Sequence, residues 1–226
     1  MTELTRHGIE ALHLRQFENV IGRVEGLLRR TAPVALFGQL LKKIRSSHPS
    51  LVVHAANSSA ALLFSESHYD LVRLGLSLYG ISPSRISPAL PLKPVLSWKT
   101  KVVFLKTVPS GTCVSYGGTF RTKRTSRLAT LPVGYADGYR HSFSGRAEVL
   151  ITGKRCPVVG RVTMDQIVVD VTDCSEIQVG EDVVLLGEQG KEKISVQDMA
   201  QWASTLPYEI FCGISARVPR IYYPRG

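Results

Sequence analysis

The stretch "LVVHAANSSAALLF", from Leu51 to Phe64, joins a short apolar run to a second one through a polar break. The first run is typical of a buried parallel strand, and "NSSAALLF" is typical of a short helix that begins at the break. The following "DLVRLGLSLYG" begins as another strand. Strand, short helix and strand in this order predict an α/β unit with parallel strands.

Two helices are predicted ahead of this unit and a linker after it. Apolar residues recur at helical spacing over roughly residues 9–30, and Pro33 opens a second helical pattern that carries Leu40 and Ile44. The stretch "ISPSRISPALPLKP" contains four prolines and cannot hold a regular element for long. It predicts a linker near residues 82–94.

Beyond the linker the pattern changes to short strands with glycine-containing breaks, which is typical of an antiparallel sheet. The strand candidates are "VLSWKTKVVFLKTV", "RLATLPV", "AEVLITG", "CPVVG", "QIVVDV" and "DVVLLG". One helix, "SVQDMAQWAS", interrupts them, with Ser195 as its cap and Asp198 placed well against the helix dipole. The predicted fold class is therefore α/β plus β, divided into domains at residues 1–85 and 95–226.

Composition limits the function classes. With 44% hydrophobic residues in 226, the chain is globular. No apolar run reaches the length of a membrane span, and the start "MTELTRHGIE" lacks the layout of a secretory signal, so we expect a cytoplasmic protein that does not enter a membrane. The net charge of +10 suits a nucleic acid or a small anionic ligand. Because the basic residues form no stripe, a small phosphorylated ligand fits at least as well, and nucleic-acid binding is the weakest of the hypotheses.

The four cysteines, Cys113, Cys156, Cys174 and Cys212, lie far apart in the sequence and show no Cys-x-x-Cys spacing. This spacing argues against a zinc site and against a redox pair. We therefore expect reduced thiols and no metal.

Candidate ligand-binding residues in the first region follow the two predicted strands. Backbone N–H groups at the "NSS" break point beyond the strand end and favour an anion there, and the Ser58 hydroxyl can add a hydrogen bond to a phosphate. The alternative is that Asn57 or Ser58 only caps the helix. Arg73 closes the next strand, where it either flanks a ligand site or pairs with a carboxylate. Gly75 beside it permits a close backbone approach.

Three stretches of the second region carry further candidates. In "TCVSYGGTF", Tyr116 precedes two glycines and is a turn residue, a half-buried packing residue or a phenol held toward a ligand. Tyr135 in "LPVGYADGYR" lies next to turn chemistry. In "VGRVTMDQIVVDV", Met164 and Asp165 stand at the break between two apolar runs, where a bulge or tight turn would expose the Met164 amide. Lone methionines mostly fill gaps in a core.

Taken together, these motifs resemble one family. The stretches are "VHAANSSAALLF…DLVRLGLSLYG", "VSYGGTF", "LPVGYADGY", "VGRVTMDQIVVDV" and "LPYEIFCGISARVPRIYY". In this order, from about Val53 to Tyr223, they resemble the last two-fifths or so of the bacterial alanine racemases, which depend on pyridoxal phosphate. The resemblance implies the last part of a (β/α)8 barrel followed by a mostly antiparallel β domain. It also implies a head-to-tail homodimer, in which each active site combines one chain's barrel with the other chain's second domain.

The resemblance assigns a role to each candidate. Tyr116 looks like the base that takes the α-proton of L-alanine, acting on the partner's cofactor. Arg73 looks like the arginine that faces the pyridine nitrogen; since arginine stays protonated, it keeps that nitrogen unprotonated and disfavours transamination. The phosphate ligands implied are Ser58, the amides of Gly75 and Leu76, and Tyr208. On the substrate side, the implied residues are Met164, through its backbone amide, and the gate residues Tyr135 and Asp165.

The sequence also departs from the family. The cofactor lysine of the family lies in a "KANAYGHG"-like stretch, and no such stretch occurs among the 226 residues. Lys42 and Lys43 belong to a surface-patterned helical run instead. The chain therefore looks like a fragment that lacks the first strands of the barrel. Two hypotheses follow, a truncated alanine racemase that makes D-alanine for peptidoglycan, and an inactive remnant or cofactor-binding module.

Overall fold

The computed structural model describes residues 3–6, 9–12, 32–82, 92–174 and 176–223, with side chains from residue 37 onward. It divides the chain into two units, Met1–Val95 and Leu96–Gly226, each described by itself.

The first unit begins with a two-stranded hairpin. Strand β1 (Glu3–Arg6) pairs antiparallel with β2 (Ile9–Leu12), and Arg6 lies opposite Ile9. The prediction of a helix over residues 9–30 is wrong for residues 9–12; residues 13–31 lie outside the described ranges. Helical periodicity counts only the spacing of apolar side chains, so it does not detect that residues 9–12 pair with the preceding strand.

The predicted second helix and α/β unit are confirmed. Helix α1 (Ala32–Ser47) carries Pro33 in its first turn, where the missing N–H costs nothing. Strand β3 (His54–Asn57) runs into helix α2 (Ser58–Leu63), and strand β4 (Leu71–Arg73) pairs with β3 in parallel. Short 3-10 turns follow α2 at Ser65–Ser67 and β4 at Leu76–Tyr79.

One ion pair ties α1 to this unit. Arg45 bonds the carboxylate of Asp70, which also accepts the Val53 amide at 2.8 Å. The hydrogen bond from Arg45, and then that from the Val53 amide, lower the pKa of Asp70.

The second unit is built on one antiparallel sheet. Its strands are β5 (Trp98–Lys101), β6 (Phe104–Val108), β9 (Ser126–Leu131), β10 (Glu148–Ile151), β11 (Lys154–Val159), β12 (Ile167–Asp170), β13 (Asp182–Gln189) and β14 (Glu192–Ile194). They follow the order β14-β13-β10-β11-β12-β9-β6, and β5 also pairs with β13. A separate hairpin joins β7 (Cys113–Val114) to β8 (Phe120–Arg121). Each strand predicted from the sequence is confirmed.

The core of this unit contains a run of aromatic rings. The ring of Tyr139 lies 5.9 Å from that of Trp98 and 4.7 Å from that of Phe143, both edge to face. Phe143 in turn meets Trp202 at 6.4 Å. Tyr139 is fully buried and its hydroxyl has no hydrogen-bond partner, so desolvation raises its pKa.

Two helices complete the unit. Helix α3 (Val196–Ala203) has the predicted cap, because the Asp198 amide donates to Ser195 Oγ at 3.1 Å and the Ser195 amide donates to Asp198 Oδ2 at 2.7 Å. Helix α4 (Pro207–Gly213) was not predicted. Its seven residues are too few to show a helical period, and only the proline in its first turn signals it.

The cysteines are reduced, as predicted, yet two of them touch. Cys156 and Cys174 are buried, and their sulfur atoms lie 3.2 Å apart although 18 residues separate them. Burial, and then the neighbouring thiol, raise the pKa of Cys156. The sequence spacing gives no sign of this contact, because Cys156 lies on β11 and Cys174 follows β12, and the two strands pair antiparallel.

Within the described ranges, no three or more histidine, cysteine or acidic side chains cluster as a metal site would require. No helix there has both the length and the apolar character needed to cross a bilayer.

Candidate functional site

In the first unit, polar groups meet where the parallel strands end. Asn57 at the end of β3 lies opposite Arg73 at the end of β4. Asn57 is the helix cap, because its Oδ1 accepts the Ala60 amide at 3.0 Å. This leaves the Ser58 hydroxyl to a different partner.

The partner of the Ser58 hydroxyl lies just after strand β4. The Gly75 amide donates to Ser58 Oγ at 2.9 Å, which joins the segments that follow β3 and β4. Gly75 immediately precedes the turn that begins at Leu76, so the two backbone segments and one hydroxyl converge at one point. The crevice outside the carboxyl ends of parallel strands is where α/β units bind ligands. A hydroxyl and backbone amides in this place suit an anionic oxygen.

In the second unit, Tyr116 lies at the tip of the hairpin between β7 and β8. It opens a 3-10 turn, Tyr116–Gly118, in which both glycines have positive φ (Gly117 +70°, Gly118 +54°). Its side chain is 72% exposed, so it is a turn residue that presents its phenol outward and does not pack in the core.

The residue before it has an unusual backbone. Ser115 has φ 61° and ψ −175°, a region that residues other than glycine rarely occupy and that costs about 1–3 kcal/mol. Its hydroxyl donates to the carbonyl oxygen of Arg161 at 2.7 Å. The sequence signals neither Ser115 nor Arg161 as a site residue, because a positive φ and a bond across 46 residues leave no local pattern.

The connection between β11 and β12 carries Met164 and Asp165 on a tight turn, as predicted. The Thr163 amide donates to the carbonyl of Gln166 at 3.0 Å, and the Thr163 hydroxyl reaches the same oxygen at 2.9 Å. Met164 and Asp165 are consequently exposed, and Met164 is no core gap filler.

Tyr135 lies directly beside this connection. The Tyr135 amide donates to the carbonyl of Thr163 and the Ala136 amide to that of Met164, each at 3.0 Å. The preceding Gly134 leaves room for this approach, since a Cβ there would come within 2.3 Å of the Thr163 and Met164 oxygens. The Tyr135–Asp137 segment is a 3-10 turn, which matches the turn alternative.

A single arginine links the two turns. Arg217 donates to Asp165 Oδ1 at 2.8 Å and its Nε lies 3.5 Å from Asp137 Oδ1. The hydrogen bond to Asp165, and then the charge of Asp137, raise the pKa of Arg217. The sequence does not single out Arg217, because 52 residues separate it from Asp165.

Tyr208 lies in the first turn of α4 and is half exposed. Arg140 fixes this turn through the carbonyl of Glu209 at 2.9 Å and the Glu209 carboxylate at 3.1 Å. Of the predicted cofactor residues, Tyr208 belongs to the second unit and the other four to the first.

Known proteins match both units. The profile of the alanine racemase C-terminal domain matches residues 95–222, and that of the N-terminal domain matches residues 29–83. Alanine racemase of Halothermothrix orenii is 52% identical over 80% of this chain and 48% of its own length. That of Symbiobacterium thermophilum is 51% identical over 75% of this chain and 45% of its own.

Solved structures of alanine racemases are also similar to this chain. The Bacillus anthracis alanine racemase with bound L-Ala-P has a TM-score of 0.76 and 40% identity, over 84% of this chain and 50% of that one. The Bartonella henselae enzyme with covalently bound pyridoxal phosphate has a TM-score of 0.74 and 34% identity, over 84% and 51%. The chain thus spans about half the length of the relatives it matches.

Proposed function

The chain belongs to the alanine racemase family, and on this premise we propose that it forms part of a cytoplasmic, pyridoxal phosphate-dependent alanine racemase. Its reaction would interconvert L- and D-alanine and supply D-alanine for peptidoglycan. In this proposal residues 1–85 are the last part of the barrel and residues 95–226 are the β domain.

The bond between Ser58 and Gly75 is the observation that carries the proposal. The Ser58 hydroxyl accepts the Gly75 amide at 2.9 Å and still has its own proton to donate. Ser58 and the Leu76 amide would hold the cofactor phosphate, and the Gly75 amide would join them by exchanging its bond to Ser58 Oγ for one to a phosphate oxygen. Tyr208 would add a further contact, and Arg73 would face the pyridine nitrogen. When bound, pyridoxal phosphate withdraws electrons from the amino acid and acidifies its α-carbon.

Tyr116 would take and return the α-proton on one face of the substrate. A phenol has a free pKa near 10, so it needs help from its surroundings to act as a base near neutral pH. The outward position of this side chain supports the role, since a base must reach a carbon that its own hairpin does not hold.

The β11–β12 connection would bind the substrate. The Met164 amide would hold the carboxylate of alanine, while Tyr135 and Asp165 would line the substrate entrance. Arg217 supports this arrangement because it holds the Asp137 and Asp165 carboxylates together and so fixes the two turns against each other.

Two copies of the chain would pair head to tail, with Tyr116 of each serving the cofactor of the other. Its 72% exposed side chain supports this pairing. Neither a nucleic acid nor a membrane is a partner in this proposal.

A second candidate function is a cofactor-binding module without catalysis. It is favoured by one observation, namely that the Ser58 hydroxyl and the backbone after β4 form an anion-binding arrangement that needs no lysine to hold a phosphate. The two candidates predict different results when a segment with the cofactor lysine of the family is added, namely racemisation for the first and none for the second.

The test is reconstitution in a host that lacks its own alanine racemases. The purified chain alone should bind pyridoxal phosphate weakly and show no racemisation by chiral chromatography. Together with a lysine-bearing N-terminal barrel segment of the family, it should racemise alanine. In that mixture Tyr116→Phe should lower kcat by about 100-fold or more while the cofactor absorbance is retained.

Tyr222→Phe, an exposed phenol to which no role is assigned, serves as the matched control and should leave the rate unchanged. Racemisation by the isolated chain would contradict the assigned need for a lysine. An unaltered rate in Tyr116→Phe would overturn the assignment of the base.

A further inference from the structure

Ser115, the residue before Tyr116, has a backbone conformation that is strained for a serine. Ser115 holds φ 61° and ψ −175° at the end of β7, where glycine would adopt the same backbone without strain. A serine in this conformation needs an interaction that holds it there.

The Ser115 hydroxyl supplies that interaction. It donates to the carbonyl oxygen of Arg161 at 2.7 Å, and thereby joins the Tyr116 hairpin to the segment that leads to Met164 and Asp165. The bond is exposed to solvent, so its geometry depends on the close approach of the two backbone segments.

The segment that contains Gly160 and Arg161 lies directly against Ser115. Gly160 has φ +73°, and a Cβ there would come within 2.7 Å of the Val114 oxygen and 2.8 Å of Ser115 Cβ. The backbones of the two segments are therefore in direct contact at Ser115. Beyond it, the Arg161 guanidinium carbon would lie 3.4 Å from a Cβ at Gly117, so Arg161 borders the turn on both sides of Tyr116.

We propose that Ser115 is a positioning residue for Tyr116. Its hydroxyl bond to Arg161 holds the backbone in a conformation that fixes where the Tyr116 side chain leaves the hairpin. The catalytic relevance of this rests on the proposed function, in which Tyr116 is the base and the Arg161 segment leads to the substrate-binding turn. The bond then sets the distance between base and substrate.

Glycine in place of serine separates this role from folding. Ser115→Gly removes the hydroxyl but relieves the strain, so the chain should fold with an unchanged or higher unfolding midpoint. The amides of residues 116–118 should nevertheless become mobile. Their ¹⁵N order parameters should fall from about 0.85 to below about 0.6, and a fluorotyrosine label at Tyr116 should change its ¹⁹F shift.

Ser204→Gly is the matched control. Ser204 also has positive φ, at +54°, but it ends α3 and contacts no part of the hairpin in the bonds that define its cap. Its left-handed backbone (φ 54°, ψ 47°) is less strained than that of Ser115, so this variant should gain a smaller backbone relief and leave the order parameters of residues 116–118 and the fluorotyrosine signal unchanged.

In the reconstituted enzyme, Ser115→Gly should lower kcat by about 10- to 100-fold with little change in KM, because the base is misplaced and substrate binding is not. Unchanged order parameters in Ser115→Gly, or amides at 116–118 that are already mobile in the unaltered chain, would overturn the positioning role. Mobile amides combined with full activity of Tyr116→Phe would instead leave the positioning intact and overturn the proposed function.

Discussion

The two units differ in how completely they bury their apolar side chains. The second unit has a fully buried set that includes Tyr139, Phe143 and Leu150. The described part of the first unit pairs only two parallel strands and leaves Val52, Leu74 and Leu78 exposed, the last at 64%. Antiparallel strands can form a closed core from consecutive hairpins, whereas parallel strands need further crossover units on both sides. We therefore expect the second unit to be stable on its own.

Limited proteolysis gives the largest expected contrast. Dilute protease should remove the first unit early and leave a resistant fragment that begins near residues 92–96. The reason is that cleavage requires local opening, and a unit with few buried apolar side chains opens at low free energy. Mass spectrometry of the digest over time gives the answer. A fragment of residues 1–82 that outlasts residues 96–226 would contradict the comparison.

A pair of truncations tests the cores directly. Phe143→Ala should lower the free energy of unfolding by about 3–5 kcal/mol, because the fully buried ring packs between Tyr139 and Trp202. Leu78→Ala should change it by less than about 0.5 kcal/mol, since that side chain is largely in water already. Urea titration followed by near-UV circular dichroism measures both. Equal losses in the two variants would mean that the first unit buries Leu78 in solution.

Thiol reactivity reports whether the second core stays closed. Cys113 and Cys212 are exposed and should react quickly with iodoacetamide, whereas Cys156 and Cys174 should react at least about 100-fold more slowly. Burial excludes the reagent and raises the pKa of Cys156, so its thiolate is rare. A Leu78→Cys variant is the matched reporter of the first unit and should react as quickly as Cys113.

Peptide mass spectrometry distinguishes the labelled sites. Labelling of Cys156 at the rate of Cys113 in the native chain would show that the second core opens readily, and would remove the contrast between the units.

Acid titration should give the smallest effect. The pKa of Asp70 is lower in the folded chain than its ordinary value because of Arg45 and the Val53 amide. Its stabilisation of the first unit is therefore present above about pH 4 and is lost as the pH falls through the lower folded-state value. Hydrogen exchange of α1 amides between pH 6 and pH 3 should show this loss, and Asp70→Asn should remove most of the dependence.

Asp182, paired with Lys101, is the counterpart in the second unit and also has a lowered pKa. Asp182→Asn should leave the acid response of α1 unchanged. If Asp70→Asn retained the full pH dependence of the α1 amides, the Arg45–Asp70 pair would not be its source.

Much of the fold could be predicted because its signals are local. Short apolar runs bounded by breaks mark strands such as β9 and β12, and the Ser195–Asp198 pair marks the start of α3. Strand β2 at residues 9–12 and helix α4 were not predicted, because their local sequence carries too weak a signal. Both are too short for periodicity to distinguish them from their surroundings.

The candidate site also contains residues that the sequence indicates and contacts that it does not. Ser58, Arg73, Tyr116, Tyr135 and Met164 could be singled out because each follows an apolar run or stands beside glycines. The contacts of Ser115 with Arg161 and of Arg217 with Asp165 could not be predicted. The two residues of each pair lie 46 and 52 positions apart in the sequence, respectively.

By itself, the sequence determined most strands of the second unit, the capped helix, the α/β unit and the candidate residues for anion binding and proton transfer. Only the tertiary structure decided that β13 pairs with β5 and β10, that Cys156 touches Cys174, and that Ser115 is held in a strained backbone beside Arg161. The physical reason is that propensity and periodicity act within a few residues of the chain. Contacts between distant segments depend on strand order and register, which are set by how the whole sheet closes its core.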